Sequence, residues 1–327
     1  MSKIIGYGEL MLRLTPISEN SDKKNIVNYS STFAGCEANS LIFLARRGHD
    51  CEFLSALPKN ELGLMAESYL TSNNLKCNLK YDDNRLGTFF TESGTDNNSF
   101  TKILYDRKNS SFSKHNLSEE QINILIKGSS FLIISGITPS LSKICYENIF
   151  RLIEIARSNN IKIVYDVNYR KDLWSIEECR NFNLKILSEV DYLFTSSGSI
   201  RKILDFNENQ KSESFFSDTE SSVRYLYEKF NIEFIGMTVR NNKSLSGFIF
   251  NDKKFYRGEI YELDQIDRVG AGDSFLGACL HGIINKWNMN KIVSFATSTF
   301  ASSHTISGDL NYLDDDEIDN FKRKNSN

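Results

Sequence analysis

Apolar and polar positions follow two rhythms along this chain, and their alternation predicts an α/β protein. Short apolar runs at Lys3–Gly8, Cys51–Ala56, Phe131–Ser135, Ile161–Asp166, Asp191–Thr195 and Ile232–Val239 read as strands, with a further pair at Ser246–Asn251 and Lys253–Gly258. Between them Cys36–Arg47, Glu61–Ser72, Ser142–Ser158, Ser175–Leu187, Ser274–Asn285 and Asn290–Ser303 carry apolar residues at helical spacing. Strand–helix alternation of this kind predicts a mostly parallel sheet covered by helices. Leu12–Thr32 and Leu86–Asp106 break the rhythm, alternating in the β manner around polar turns at Glu19–Lys24 and Gly94–Asn98. Inserted after core strands, these segments (about 12–32 and 86–106) predict a small sheet standing apart, suited to act as a lid; ordinary surface hairpins are the alternative. Glu208–Ser221 is polar and serine-rich and reads as an exposed loop. No repeat and no linker divides residues 1–327, so one domain is expected.

Composition narrows the function classes. Of 327 residues, 40% are hydrophobic and 25% charged, and a formal net charge of -3 argues against a nucleic-acid or anionic-membrane surface. The start lacks a signal-peptide core, and no apolar run approaches the roughly 20 residues of a spanning helix, so a soluble, cytoplasmic protein is expected. The six cysteines form no CxxC pair and read as reduced thiols, and the four histidines have no metal-ligand spacing, so no protein-held metal is expected.

The chemistry concentrates in Asp267-Arg268-Val269-Gly270-Ala271-Gly272-Asp273-Ser274-Phe275. A small-residue turn opening a helix presents unpaired N–H groups at the positive end of the helix dipole, a setting that holds phosphate. Asp273 stands at the entrance, where a carboxylate caps the helix or accepts a proton. A carboxylate beside an anion hole suits phosphoryl transfer to an alcohol. Taken alone, an ordinary N-cap explains the aspartate equally well. There is no GxxxxGK[ST], and Gly6-Tyr7-Gly8 does not continue as a dinucleotide fingerprint.

Val269–Phe275 resembles the C-terminal signature of the PfkB carbohydrate kinases, and Ala34-Gly35-Cys36-Glu37-Ala38-Asn39 with Leu44-Ala45-Arg46-Arg47-Gly48 is similar to their N-terminal one. The resemblance runs from the first strand to about Asp316. It implies a ribokinase-like three-layer α/β/α fold with a small β-sheet lid. It also implies ATP with Mg2+, Asp273 as catalytic base, Gly270, Ala271 and Gly272 as anion hole, and Gly35 and Asn39 on the sugar. Ser135–Ser140, Asp166–Trp174 and Tyr105-Asp106-Arg107 look like segments of the 2-keto-3-deoxygluconate kinases. By that resemblance Tyr105, Arg107, Arg170 and Phe89 join the acceptor site, the arginines matching the carboxylate of a sugar acid. The nucleotide falls to Arg240, Asn242, Gly247, Gly270 and Gly272, with adenine between Asn241–Gly247 and the helices after Asp273. His304 and Asp309 border one of the two pockets or form a plain loop. Pairing of two copies through the lid is also implied.

The chain departs from the family pattern at three places. Ala34 replaces the first glycine of a pair, Thr195–Ile200 lacks the glutamate of an Asn-x-x-Glu motif that helps organise magnesium, and Thr238–Asn242 lacks a glycine near the nucleotide. Transfer from ATP to the terminal hydroxyl of 2-keto-3-deoxygluconate is the resulting expectation. A fructokinase-like kinase and a non-catalytic sugar-acid-binding homologue are the rivals.

Overall fold

The computed structural model describes residues 2–17, 28–92, 102–204, 215–241, 244–263 and 267–325. Its main sheet runs in the order Lys254–Arg257, Ser244–Asn251, Phe234–Asn241, Tyr192–Thr195, Lys162–Asp166, Ser129–Ser135, Lys3–Tyr7, Asp50–Pro58, Lys76–Asp82, with Tyr261–Glu262 also pairing to Ser244–Asn251. From Phe234–Asn241 to Lys76–Asp82 every pairing is parallel; beyond Phe234–Asn241 the strands turn antiparallel.

The period of two explains the three layers. Ile5, Leu132, Ile134, Ile163, Tyr165 and Ile235 face one apolar cluster, beneath the helices Glu119–Ile126, Lys143–Ser158, Ile176–Ile186 and Ser217–Phe230. Their strand neighbours Ile4, Phe131, Ile133, Val164 and Phe234 face the other, beneath Cys36–Ala45, Glu61–Ser72, Ala271–Ile284 and Met289–Ser303. No described helix is long and apolar enough to cross a membrane. Cys51, Cys145, Cys179 and Cys279 are buried free thiols, while Cys36 and Cys77 are half-buried.

The small separate sheet is present, in the order Tyr29–Ala34, Met11–Pro16, Gly87–Glu92, Lys102–Asp106. Two antiparallel pairs join through a parallel pairing of Met11–Pro16 with Gly87–Glu92. The polar turns expected at Glu19–Lys24 and Gly94–Asn98 lie outside the described residues.

Two expectations change. Part of Glu208–Ser221 lies outside the described residues, but Ser217–Phe230 is a helix rather than a loop. It buries Thr219, Ser222, Val223 and Leu226 on one face, so small polar residues hide its apolar stripe. The other helix begins at Ala271 rather than Ser274, because Gly270 takes the left-handed conformation (φ 78°) and serves as its N-cap. Strand Lys76–Asp82 and helices Glu119–Ile126, Ser197–Leu204 and Asp315–Asn325 add elements that the apolar pattern did not announce.

Candidate active site

The two signature segments, far apart in sequence, meet as helix starts. Cys36–Ala45 packs along Ala271–Ile284, with Gly277 against the Phe43 ring. The Ser40 hydroxyl donates to the Asp273 carbonyl at 3.0 Å, and Asn39 Nδ2 donates to Asp273 Oδ2 at 2.8 Å. Gly35 is needed for closeness: a Cβ there would press into the Glu9 carbonyl.

At the turn, the first helical bond runs from the Ser274 N–H to the Gly270 carbonyl. The amides of Ala271, Gly272 and Asp273 therefore open the helix and are available to an anion. Gly270 has both a positive φ and the Asp309 carbonyl where a Cβ would stand. Gly270→Ala is expected to cost about 1–3 kcal/mol through backbone strain alone, and more through the clash. A lowered melting temperature together with at least roughly tenfold weaker kcat/KM would bear this out, whereas a wild-type melt would refute it.

Asp273 is buried, and burial pushes its carboxyl up to about 8. The Asn39 hydrogen bond and Arg170 pull down, while Asp166 and Asp309 push with burial. Beside it Glu37, also buried and raised by burial, accepts from Ser135 Oγ (2.6 Å), Thr138 Oγ1 (3.3 Å) and Cys36 Sγ (2.9 Å). Glu37 thus ties the end of Ser129–Ser135 to the start of the acceptor helix.

Arg170, Asp166, Asn168, Thr195, Ser196, Ser199, Thr238 and Gly272 line a pocket of about 160 Å3 at the carboxyl ends of the parallel strands. Ligands of open parallel sheets bind at that edge. Burial opposes the charge of Arg170, but Tyr105, Cys36 and Asp166 outweigh it and raise its pKa. From the small sheet come Phe89, Tyr105 and Arg107. The Phe89 and Tyr105 rings lie 5.9 Å apart, and the Arg107 guanidinium stands 5.5 Å from the Tyr105 ring centre. Arg107 is 7% exposed and its Nε donates to Glu9 Oε2 at 2.7 Å. Its Nη1 is buried with no hydrogen-bond partner among the described residues.

Arg240, expected on the nucleotide side, lies at the end of the strand Phe234–Asn241. Loss of water, with repulsion from Arg268 and Arg170, lowers its pKa to about 10, and its guanidinium lies 5.0 Å from the Phe300 ring centre. The buried His304 Nδ1–H donates to the Phe300 carbonyl at 2.8 Å, and burial pushes its pKa down to about 3. Asp309 borders the Gly270 turn, as its carbonyl contact requires. Gly247 lies beneath Thr297 and Phe275, where a Cβ would collide, so packing alone accounts for a glycine there. Asn242 lies outside the described residues.

Sequence reasoning passed over Asp166, Glu37 and Arg13. Asp166 could have been found as a carboxylate at the end of a buried parallel strand, the edge where sites form. Burial, then relief by Arg170, leaves it at about 7. Among the described residues no group of three or more His, Cys, Asp or Glu is placed to hold a metal. One carboxylate and neighbouring hydroxyls do suit a magnesium ion that arrives on phosphate oxygens and keeps several waters.

Comparison with known proteins agrees with this geometry. The model of the pfkB family carbohydrate kinases matches residues 1–308. A 2-dehydro-3-deoxygalactonokinase of Haloferax volcanii is 26% identical over 98% of this chain and 97% of its own. The solved 2-dehydro-3-deoxygluconokinase of Thermotoga maritima superposes with a TM-score of 0.88 at 29% identity, covering 99% of this chain and 100% of that one. A candidate ribokinase II from E.coli, solved with ATP and Mg2+, has a TM-score of 0.82 at 19% identity, covering 99% and 100%, and so shares the fold.

Proposed function

The chain belongs to the pfkB family of carbohydrate kinases, and from that membership we propose that it phosphorylates the terminal hydroxyl of 2-keto-3-deoxygluconate with ATP. The observation that carries this reading is the unpartnered Nη1 of Arg107, aligned with Tyr105 on the small sheet while Arg170 stands beside Tyr105 from the core. Buried guanidinium donors facing an acceptor site match a carboxylate, which a neutral sugar lacks. Sugar-acid kinases among its relatives, the two named above included, support the same substrate class.

In this mechanism the acceptor lies between Gly35, Asn39, Phe89, Tyr105, Arg107 and Arg170, with its terminal hydroxyl against Asp273. Asp273 takes the hydroxyl proton as the oxygen attacks the γ-phosphorus, and the bond from that phosphorus to the β-bridging oxygen breaks to release ADP. The amides of Ala271–Asp273 receive the charge on the transferred group, and Arg240 steadies the leaving phosphates. Magnesium, which would be held by Asp166 with the Thr195 and Ser196 hydroxyls, supplies neutralisation of phosphate charge. The small sheet acts as the lid that keeps water out. Its outer face, where Leu104 aligns with Phe90 and Phe90 with Leu14, supports pairing of two copies there.

ADP release with magnesium-ATP and a panel of acceptors tests the proposal. Turnover is expected with 2-keto-3-deoxygluconate and not with fructose or ribose. The galactonate epimer belongs in the panel because the Haloferax volcanii relative carries that name. Turnover confined to a neutral sugar would remove the acceptor roles given to the arginines. Tight acceptor binding without ADP release would favour the non-catalytic reading.

A further inference from the structure

Arg13 is a charged side chain of the small sheet that ends inside the core, with 2% of its surface exposed. Its Nη2 donates to Asp267 Oδ2 at 2.6 Å and its Nη1 donates to Asp309 Oδ1. Its Nε donates to Thr15 Oγ1 at 2.9 Å, and that hydroxyl is bonded from Thr91 Oγ1 at 3.0 Å on the neighbouring strand. The guanidinium is thus fixed by the small sheet at one end and by two carboxylates at the other.

Both carboxylates belong to the walls of the anion turn. Asp267 Oδ1 accepts from the Arg268 and Val269 amides at 2.7 and 3.1 Å, and its Oδ2 accepts from the Gly308 amide at 3.3 Å. Asp309 places its carbonyl against Gly270, the residue whose left-handed backbone starts the helix. One side of the turn therefore leans on Asp267 and the other on Asp309, with Arg13 spanning them.

We infer that Arg13 is a positioning residue for phosphoryl transfer, clamping from the small sheet the two carboxylates that bracket the Gly270–Asp273 turn. The inference rests on the kinase reading above. It gives the small sheet a second task besides covering the acceptor, because the sheet and the anion hole are braced by one side chain. A planar fork holds two carboxylates at a fixed spacing through separate nitrogens, whereas an ammonium offers both a single point charge with no fixed spacing.

The test is Arg13→Lys, which keeps the buried charge and so avoids two unpaired carboxylates. Misplacement of a catalytic group by about 1 Å can cost roughly a hundredfold, so kcat is expected to fall about tenfold or more while the KM for ATP stays within about threefold. Hydrogen exchange is measured in parallel. The Arg268, Val269 and Gly308 amides are expected to exchange about tenfold faster in the variant, since their acceptor has lost its anchor.

A kcat per folded molecule within about twofold of wild type would overturn the inference. So would faster exchange confined to Met11–Pro16 and Gly87–Glu92, which marks a role in the small sheet alone. Arg13→Met, assayed where it folds, is expected to lose more turnover than the lysine variant; an equal or smaller loss counts against the clamp. If the wild type turns over no acceptor, the kinase reading fails while the exchange arm still decides this one.

Discussion

Asp273→Asn is expected to fold and to bind both substrates, yet to release ADP at least about a hundredfold more slowly. Asparagine keeps the size of the side chain and the bond from Asn39, so what is lost is the proton acceptor. The wild type should show the matching pH dependence. With the carboxyl pushed up to about 8, the base is mostly protonated at pH 6, and turnover rises with pH through 8 and levels roughly one unit higher. In the variant that rise disappears along with the rate. Stability should move the other way. A carboxyl whose pKa is higher folded than unfolded binds more protons in the folded state between about pH 4 and 8, so folding weakens as pH rises through that window. The asparagine variant is free of this penalty and should melt above the wild type at pH 8. Wild-type turnover in the variant, or a flat wild-type pH profile, would remove Asp273 from its role.

Arg107 carries the second large effect. Losing charge-assisted bonds to a carboxylate costs about 1.5–3 kcal/mol, so Arg107→Lys is expected to raise the KM for the sugar acid roughly tenfold to a hundredfold while barely moving the KM for ATP. Lysine is the chosen replacement because Glu9, 4% exposed, leans on this guanidinium. An apolar residue would strand that buried carboxylate and unfold the protein for unrelated reasons. Steady-state kinetics with both substrates varied separates the cases. An unchanged acceptor KM would return Arg107 to a purely structural partner of Glu9.

The parts of this molecule that were legible in its sequence share one property: their cause is local. The inner parallel strands announce themselves because they are buried on both faces and read as apolar runs, whereas the half-exposed edge strand Lys76–Asp82 does not. Gly270–Asp273 is legible as a helix-opening turn because small residues precede a strong apolar helix, while its reading as a phosphate site came from the family resemblance. What stayed hidden depends on partners far along the chain. Ser217–Phe230 buries serine and threonine on its inner face, so its amphipathic pattern is muted. Arg13, in an alternating strand, looks like an ordinary outward-facing residue; only Asp267 and Asp309, more than two hundred residues on, turn it inward. Asp166 and Glu37 were passed over for the same reason, since a buried carboxylate has meaning only once its donors are known. The substrate arginines were reached through resemblance rather than pattern.

The strand Lys3–Tyr7 lies between Asp50–Pro58 and Ser129–Ser135, and the pocket at the carboxyl edge of the sheet is lined from Asp166 to Phe275. Domains form as the ribosome delivers the chain from its N-terminus. On that schedule the first strand waits with one edge bare until the fourth strand of the main sheet, Ser129–Ser135, emerges, and the proposed acceptor arginines are made before the anion turn. A chain ending before residue 270 lacks Ala271–Ile284, the helix on which Cys36–Ala45 packs, and with it the Asp273 partners of Asn39 and Ser40. In this architecture the anion turn, and with it the proposed base, is therefore among the later parts that translation delivers.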